Sequence, residues 1–531
     1  MNKRFVIICL ALFSLFSLGL HIYKSNKVPT CINADEAAFG YNAYSILKTG
    51  KDEYGAFLPL RLKSFGDYKL PLYSYLSIPF IGMFGLNEFS TRLLSYVVGI
   101  LFPLLIYFLS KELFNNKKIA LISAFLMSVS PWMNTLSRQA HEASLAAFFI
   151  TLALIFFLRF MKRRTLLDSL FFSLFNGLSL FSYHISRTFA LFFFCAFIIF
   201  LIKNRQKIVT RRQLVFLSLF LIPLFFFIFS ELKYPATRLQ NLIFYNTAGF
   251  NLRINELRGE HDVRMLHNKV VVGVIQIMNE YAKYFSPAFL ITHGDLNVRF
   301  GHQGISPISI IEYLFLFIGL YYLFKQKERN RYIILIILLL SPISASLVWQ
   351  EYSLTRSFYM IVPLLLIIGY GIGKHKKLFI GVICIVYMFL LFMSWDFYFF
   401  HYPKRPLVIR GFQCGYKELA EYVRTNYTRF SEFKITPRHG QPYIFLLYYL
   451  GIDPNKYQRI AHLSPPDKYG FGQVEKFDKF DFNFNLDIPK NGVSYIGYPE
   501  NFIDNPHIDQ TKIKKIVVGG EEIFLIYDNL Q

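Results

Sequence analysis

The chain has 531 residues, of which 54% are hydrophobic and 18% aromatic, and its mean hydropathy is +0.36. This composition excludes an ordinary soluble domain, because apolar runs of roughly 17–25 residues, the length that crosses a bilayer core, recur along the sequence. The formal net charge of +23 would fit nucleic-acid binding. The basic residues fall instead in short clusters between apolar runs, which is typical of membrane orientation signals. We therefore expect a multi-pass membrane protein without a nucleic-acid partner.

The apolar runs divide into eleven predicted membrane spans. They are residues 5–23, 93–113, 119–136, 143–160, 170–183, 188–202, 214–230, 307–324, 332–348, 358–373 and 378–395. With this count every basic cluster, from Lys3-Arg4 to residues 374–377, falls on the same side of the membrane. The pattern predicts a cytoplasmic N-terminus, a C-terminus outside, and a cell (plasma or inner) membrane location. The first span resembles a signal peptide but lacks a small-residue cleavage site, so we expect it to remain as a helix.

Residues 72–86 are apolar but short, and Pro79, Gly82 and Gly85 interrupt them. Counting this stretch as a span would invert the side of every later loop, so we predict an interfacial or re-entrant helix on the outer side. The predicted fold class is a polytopic α-helical membrane protein with outer-face loops and a small C-terminal α/β domain. The membrane domain would cover residues 1–395, with outer loops at about 24–91 and 231–305, and the extracytoplasmic domain residues 396–531.

The C-terminal part carries the signals of a mixed α/β fold. Residues 416–427 have apolar side chains at helical spacing, and residues 433–436 and 493–496 are typical of short strands. Gly519-Gly520 between two apolar runs predicts a tight hairpin over residues 515–527. The five cysteines show no metal or redox spacing. Only Cys31 and Cys414 would face outside, and we do not expect a disulfide between them.

The segment Asn33-Ala34-Asp35-Glu36 follows the first span by about ten residues. Two adjacent carboxylates can cap a helix over residues 37–47, because Asp is a good N-cap and acidic residues suit a first turn. They can equally supply chemistry at a membrane surface, together with Lys69 in the stretch Lys69-Leu70-Pro71. Both interpretations remain open from these residues alone.

Four arginines lie in the outer ends or outer loops of the predicted spans, against the general charge pattern. They are Arg92, Arg138, Arg187 and Arg356. A single arginine at a helix end can simply reach the lipid headgroups. Four of them with Lys69 at one membrane level favour binding of a lipid phosphate, since guanidinium groups bind phosphate oxygens well.

Two further groups of polar residues are candidates for acceptor binding. His141 and Glu142 stand at the start of the fourth span, and His293, Asp295 and Arg299 stand in the second long outer loop. Three interpretations of His141 and Glu142 stay open: pairing with Arg138, binding of the acceptor, or a metal site with further ligands such as Asp35, Glu36 or His184. The loop, which runs on to Gly304, is either an ordinary turn with an Asp–Arg pair or a cover over an active site.

In chain order, several short motifs resemble those of membrane glycosyltransferases of the GT-C fold. The closest resemblance is to bacterial relatives of protein O-mannosyltransferases and of the aminoarabinose transferase of lipid A. The matching residues are Asp35-Glu36, Lys69-Leu70-Pro71-Leu72, Phe84-Gly85, Arg92, Ser130-Pro131, Ser137-Arg138 with Glu142, and Arg356 before Pro363. The chain departs from the family where Leu70 replaces a proline and where Glu142 stands in place of a frequent Asp.

The resemblance implies an inverting transfer of a hexosyl or pentosyl group from a polyprenyl-phosphate donor to a protein, lipid or glycan acceptor on the outer face. Asp35 would be the base, supported by Glu36, and Lys69 with Arg92, Arg138, Arg187 and Arg356 would hold the phosphate. A divalent cation is left open as cofactor. Two other classes remain: a transporter or flippase of lipid-linked sugars, which apolar span centres disfavour, and a polymerase or ligase that uses diphosphate-linked chains.

Overall fold

A computed structural model describes residues 2–65, 67–203, 211–234, 243–301, 306–348, 352–374, 377–465, 472–486, 488–503 and 508–530. The chain divides into two compact units. The first contains Met1–Tyr23 and Ser95–Tyr398, and the second contains Lys24–Leu94 and Phe399–Gln531. The predicted division into domains at residue 396 stays a prediction.

The first unit is helical, and every predicted span coincides with a described helix or helix pair. Its longer helices are α1 Lys3–Ile22, α4 Glu88–Phe114 (which begins in the second unit), α5 Lys117–Val129, α6 Pro131–Ser137, α7 Glu142–Arg163, α8 Leu166–Leu180, α9 Ser186–Lys203, and then Arg211–Lys233, Ala248–Glu260, Lys269–Lys283, Ile310–Lys325, Arg331–Leu340, Ile361–Gly373 and Lys377–Asp396. Shorter pieces are Phe244–Asn246, Ala288–His293, Ile343–Ser346, Phe358–Met360 and Phe397–His401.

Four helices in the described part of the chain are long and apolar enough to cross a membrane, or five if α5 and α6 form one bent span. Other apolar helices, such as α8 and Phe358–Gly373, are shorter. The apolar helices are those of a membrane protein, and the count of eleven spans stays a prediction. Residues 302–305 and Lys376 of the sequence predictions lie outside the described residues.

The bend between α5 and α6 has a local cause. The two helix axes differ by 51° around Ser130, which precedes Pro131, and a residue before proline is disfavoured in helical geometry. Ser130 has ψ of 122° and caps the new helix by accepting from the N–H of Met133. The sequence Ser130-Pro131 therefore ends one helix and begins the next.

Two helices of the first unit approach each other through glycine. A Cβ added at Gly319 of the helix Ile310–Lys325 would come within 2.1 Å of the carbonyl oxygen of Ile367. Small residues allow such close helix contacts, which are a main source of packing energy between apolar helices.

The second unit combines helices with a seven-stranded sheet. Its helices are α2 Ala34–Thr49, α3 Leu72–Phe84, Pro406–Gly411, Tyr416–Asn426, Pro442–Leu450 and Pro454–Ile460, with single turns at Tyr402–Lys404, Pro499–Asn501 and Gln510–Lys512. Its strands are β1 Leu62–Ser64, β2 Asp67–Lys69, β3 Glu432–Ile435, β4 His462–Leu463, β5 Val474–Phe477, β6 Phe480–Asp481, β7 Val493–Gly497, β8 Lys514–Val518 and β9 Glu521–Asn529. β1 and β2 form a hairpin, and the large sheet has the order β4-β5-β6-β3-β7-β9-β8.

The C-terminal elements that the sequence predicts are present, while the helices Pro406–Gly411, Pro442–Leu450 and Pro454–Ile460 and the strands β4, β5 and β6 were not predicted. The helix Tyr416–Asn426 and the strands β3 and β7 lie within one residue of their predicted bounds. β8 and β9 pair antiparallel, and Gly519 and Gly520 between them have φ of 59° and 89°. Both values lie in the left-handed region that glycine adopts at little cost. The predicted helix after Lys69 is also present as α3, and its position at the membrane interface stays a prediction.

The two outer cysteines are joined. Cys31 and Cys414, 383 positions apart, form a disulfide with Cα atoms 5.5 Å apart, so the expectation against this bond was wrong. Sequence spacing carries no information about such a pair, because the fold of the second unit brings residues 24–94 and 399–531 together. Disulfides persist in oxidising compartments, which agrees with an extracytoplasmic location of this unit.

Candidate active site

The Asp35–Glu36 segment is fixed by the first turn of α2. Asn33 is the N-cap, and its Oδ1 accepts from the N–H groups of Asp35 and Glu36 at 3.0 and 3.1 Å. Glu36 reaches back with Oε2 to the N–H of Asn33 at 3.2 Å, which completes a capping box. The helix-cap interpretation thus describes Asn33 and Glu36, while Asp35 is not the cap. The helix runs over Ala34–Thr49 rather than 37–47.

Glu36 makes a buried ion pair with Arg92. Oε1 accepts from Nε of Arg92 at 2.8 Å, and Oε2 from Nη2 at 2.9 Å. The same Nη2 donates to the carbonyl of Cys31 at 2.6 Å. Two-pronged pairs of this kind hold geometry well. Both side chains are fully buried, so this pair anchors the start of α2 against the start of α4.

Asp35 pairs with Lys69 and stays accessible. Nζ of Lys69 lies 2.6 Å from Oδ1, and the Asp35 side chain is 43% exposed while that of Lys69 is 10% exposed. The ammonium also lies 5.1 and 4.7 Å from the ring centres of Phe39 and Phe65, which favours the cation over the ring faces. Lys69 ends β2, so the hairpin positions the ammonium and α2 positions the carboxylate.

The C-terminal part of the second unit holds this segment from the other side. Oε1 of Gln413 accepts from the N–H of Ala34 at 3.2 Å, and Cys414 is bonded to Cys31. The backbone of Asn33 to Glu36 is therefore fixed by a cap, an ion pair and a disulfide.

Glu53 is a buried carboxyl that the sequence prediction missed. Its side chain is 1% exposed, Oε1 accepts from the hydroxyl of Tyr443 at 3.2 Å, and Oε2 is buried without a hydrogen-bond partner among the described residues. Burial, and then the charge of Asp52, raise the pKa of Glu53 to about 8, against the opposing charge of Lys69. No sequence signal marks it, because Glu53 stands in an ordinary polar stretch.

In the first unit, Arg138 caps a helix. Its guanidinium donates to the carbonyls of Leu20, His21 and Tyr23, the last two at 2.9 and 3.0 Å. These carbonyls end α1, where cations are favourable. Arg138 is fully buried. Its role as a phosphate ligand stays a prediction.

His141 and Glu142 begin α7. Nδ1 of His141 accepts from the N–H of Ala143 at 3.0 Å, and its ring packs edge-on against Tyr183 and Phe300. Glu142, Arg356 and Thr355 all act on the hydroxyl of Tyr183. Within this unit the structure therefore places the start of α7 next to the loop before Arg356.

The loop containing Asp295 closes on the same region. Oδ2 of the buried Asp295 accepts from the N–H of Leu354 at 2.8 Å, and Oδ1 from that of Asn297. Burial raises the pKa of Asp295 to about 7, although the charges of Arg356 and Arg299 oppose the shift. Nη1 of Arg356 is buried and has no hydrogen-bond partner among the described residues. This guanidinium is therefore suited to an anionic ligand.

The other predicted residues of this unit have local partners. Arg187 pairs with Glu231 at 2.9 Å, His293 contacts the hydroxyl of the neighbouring Thr292 at 2.7 Å, and Arg299 lies over the Phe300 ring. Over the described ranges, no three His, Cys, Asp or Glu side chains meet as metal ligands.

Comparison with known proteins finds sequence similarity over part of the chain. Residues 69–230 match the family model described as dolichyl-phosphate-mannose-protein mannosyltransferase. A stretch of 79 residues is 38% identical to dolichyl-phosphooligosaccharide-protein glycotransferase 2 of Archaeoglobus fulgidus, and covers 14% of this chain and 13% of that protein.

Two solved structures resemble the whole or most of the chain. The structure of ArnT of Cupriavidus metallidurans bound to undecaprenyl phosphate is 10% identical in sequence and has a TM-score of 0.51. The match covers 99% of this chain and 98% of the ArnT chain. Archaeal oligosaccharyltransferase AglB of Archaeoglobus fulgidus has 12% identity and a TM-score of 0.48 over 84% of this chain. The match spans 64% of the AglB chain, less than two thirds of its length. The chain therefore has the GT-C fold of membrane glycosyltransferases, as the motifs predicted, and its residues 69–230 resemble the mannosyltransferase family.

Proposed function

We propose that the chain is an inverting glycosyltransferase that moves a sugar from a polyprenyl-phosphate donor to an acceptor on the outer face of the membrane. The observation that carries the proposal is the pair of Asp35 and Lys69, with atoms 2.6 Å apart. It offers an accessible carboxylate beside a fixed ammonium. The matched family and ArnT support the reaction class and a lipid-linked donor.

The reaction needs one base and one stabilised leaving group. The acceptor oxygen attacks C1 of the sugar from the face opposite the phosphate, while the bond from C1 to the phosphate oxygen breaks and its electron pair leaves with the phosphate. The acceptor proton passes to the Asp35 carboxylate. Phosphate is a good leaving group, so charge stabilisation matters more than acid catalysis.

Lys69 is the proposed phosphate ligand of the second unit, with Arg92 and Glu36 as the buried pair that fixes the start of α2. In the first unit, Arg356 is the proposed phosphate ligand, because its buried Nη1 has an open hydrogen-bonding position. Arg138 and Arg187 remain proposed contributors, with His141, Glu142, His293, Asp295 and Arg299 on the acceptor side. A hexose or pentose and a protein, lipid or glycan acceptor all remain compatible with this proposal.

Replacement of Asp35 tests the base. Asp35→Asn removes the proton acceptor at nearly constant shape, and base catalysis contributes about 10²–10⁴-fold. We expect transfer to fall by that factor in purified protein, measured with radiolabelled polyprenyl-phosphate sugars. Asp509→Asn is the matched control, since Asp509 also pairs with a lysine, Lys512, and its side chain is 45% exposed, against 43% for Asp35. Activity of Asp35→Asn within a few-fold of the parent rules Asp35 out.

The donor and acceptor can be identified together. Mass spectrometry of envelope glycans and proteins, with and without the intact gene, reports which product disappears. Monophosphate-linked and diphosphate-linked donors are then compared with the purified protein. Use of diphosphate-linked chains alone would support a polymerase or ligase instead.

A further inference from the structure

A cavity of about 270 Å³ lies within the second unit. Neither Asp35 nor Lys69 lines it, and the proposed reaction gives it no role. Its walls include Asn26, the residues Asn87 to Phe89 at the start of α4, and Lys417, Tyr448 and Tyr449. We infer that this cavity is a binding site for a neutral saccharide unit. We further infer that the bound saccharide is the acceptor, and this part of the inference rests on the proposed glycosyl transfer.

The charges of the cavity cancel. The Glu88 carboxylate accepts from the hydroxyl of Tyr449 at 2.9 Å and lies 3.5 Å from Nζ of Lys417. A phosphate or carboxylate ligand would meet one negative and one positive group, and would gain little. The site therefore favours an uncharged ligand.

The polar groups suit a ligand rich in hydroxyls. Glu88 accepts hydrogen bonds, Lys417 donates them, and the amide of Asn26 does both, while the amide of Asn87 is bonded to the backbone of Phe84, Gly85 and Ser90. Hydroxyl groups are both donors and acceptors, so a sugar ring can satisfy this mixed set, while a lipid tail would leave it unpaired. The exposed Phe89 ring and the Tyr448 ring add apolar surface, which can pack against the C–H face of a sugar.

The size limits the ligand to a small unit. Pockets for small molecules start at about 300 Å³, so this cavity holds one or two sugar rings rather than a long chain. A longer glycan would extend through the open side of the cavity.

The cavity is close to the helix that carries Asp35. The hydroxyl of Tyr448 bonds to Oγ1 of Thr91 at 2.8 Å, and Gly40 of α2 packs on both residues. A Cβ at Gly40 would come within 2.6 Å of Thr91 and 2.7 Å of Tyr448. Gly40 lies five residues after Asp35, about 8 Å along the helix axis. A saccharide anchored in the cavity is thus held beside Tyr448, which packs on the helix that carries Asp35.

The test measures saccharide binding apart from transfer. Saturation-transfer NMR and calorimetry on the full chain in nanodiscs would use neutral hexose disaccharides and their methyl glycosides, with inorganic phosphate as a second probe. We expect saccharide binding that weakens at least about 10-fold in Glu88→Gln and in Phe89→Ala, in line with the loss of a hydrogen-bonded or packed contact. Phosphate should not compete. Transfer to the same saccharides should show a raised KM in both variants.

A matched control and a folding check keep the outcome clear. Glu521→Gln removes a carboxylate that pairs with Arg410 at 2.9 Å and is 24% exposed, against 20% for Glu88, and it should bind saccharide like the parent. The thermal unfolding midpoint of all three variants should equal that of the parent, which shows that the second unit is folded. Phe89→Ala, at an exposed position, tests the site even if Glu88→Gln were to unfold.

The possible failures are distinguishable. Absence of saccharide binding, binding that neither variant weakens, or competition by phosphate overturns the inference while leaving the Asp35 assay intact. Saccharide binding without transfer to the same saccharides would support the cavity as a binding site and contradict its role as the acceptor site, while the Asp35→Asn assay tests the proposed function separately.

Discussion

At the scale of single residues, substitutions of Asp35 and Lys69 can distinguish the role of the base from that of the phosphate ligand. Lys69→Ala should weaken binding of a polyprenyl-phosphate sugar, since loss of one partner of a desolvated charge pair costs roughly 2–5 kcal/mol. Asp35→Asn should bind the donor nearly as the parent does, because the base contacts the acceptor hydroxyl. Donor titration on purified protein in nanodiscs measures both.

Lys434→Ala is the matched control for Lys69→Ala, because Lys434 is 14% exposed and lies 3.5 Å from the carboxylate of Asp481. It should bind donor like the parent. Loss of donor binding in Asp35→Asn with binding retained in Lys69→Ala would reverse the two roles.

Glu53 gives the second unit a pH-dependent stability. Its pKa rises from 4.5 to about 8 on folding, chiefly through burial, so between these values the folded chain holds a proton that the unfolded chain releases. Stability therefore falls as pH rises through this range, by up to about 1.4 kcal/mol per pH unit for one such group. Glu53→Gln should reduce the difference between thermal unfolding midpoints at pH 5 and pH 9.

The residual slope and a control check this explanation. Burial also raises the pKa of Asp52, in the same unit, which acts with the same sign, so Glu53→Gln should lessen the slope without abolishing it. Glu421→Gln, an exposed position paired with Arg424, should keep the parental slope. A parental slope in Glu53→Gln as well would contradict the assignment.

The capping box of α2 could be predicted from the sequence, and the burial of Glu53 could not. The capping box was present in the sequence as Asn33 followed three residues later by Glu36, a known helix-start signature. The choice of Asp35 as a possible cap overlooked it. The burial of Glu53 had no such signal, because it depends on Tyr443, 390 positions away.

At the scale of elements, the start of α2 connects stability to the candidate base. Asn33→Ala removes the cap of Asp35 and Glu36, and such changes cost about 0.5–2 kcal/mol. We expect a lower unfolding midpoint together with reduced transfer, because Asp35 loses its fixed position. Asn33→Ser, which can still cap, should restore both. Reduced stability with unchanged transfer in Asn33→Ala would show that the cap does not position Asp35.

Elements with strong local signals were predictable. The Gly519-Gly520 hairpin and the helix Tyr416–Asn426 follow from turn chemistry and apolar spacing within a dozen residues. The order of the sheet was not predictable, because β3 pairs in parallel with both β6 and β7. Such pairing depends on contacts between strands distant in the chain.

At the scale of the whole molecule, the charge pattern predicts which parts face outside. A single cysteine placed at Asn455, in a variant without native cysteines on the surface, should react with a membrane-impermeant maleimide in intact cells. One placed at Arg163 should react only after the membrane is opened. We expect this result because all basic clusters between the predicted spans fall on one side, which is the cytoplasmic side. The opposite labelling pattern would contradict the predicted topology.

The bond between Cys31 and Cys414 also sets an order of events in biosynthesis. At synthesis rates of about 5–20 residues per second, the second cysteine is made roughly 20–80 s after the first, since 383 positions separate them. Throughout this interval the segment with Asp35 lacks both Gln413 and its covalent partner. A chain cut short before residue 414 would thus carry the carboxylates of the candidate site without the disulfide that holds their segment, and the site is completed only after Cys414 has been made.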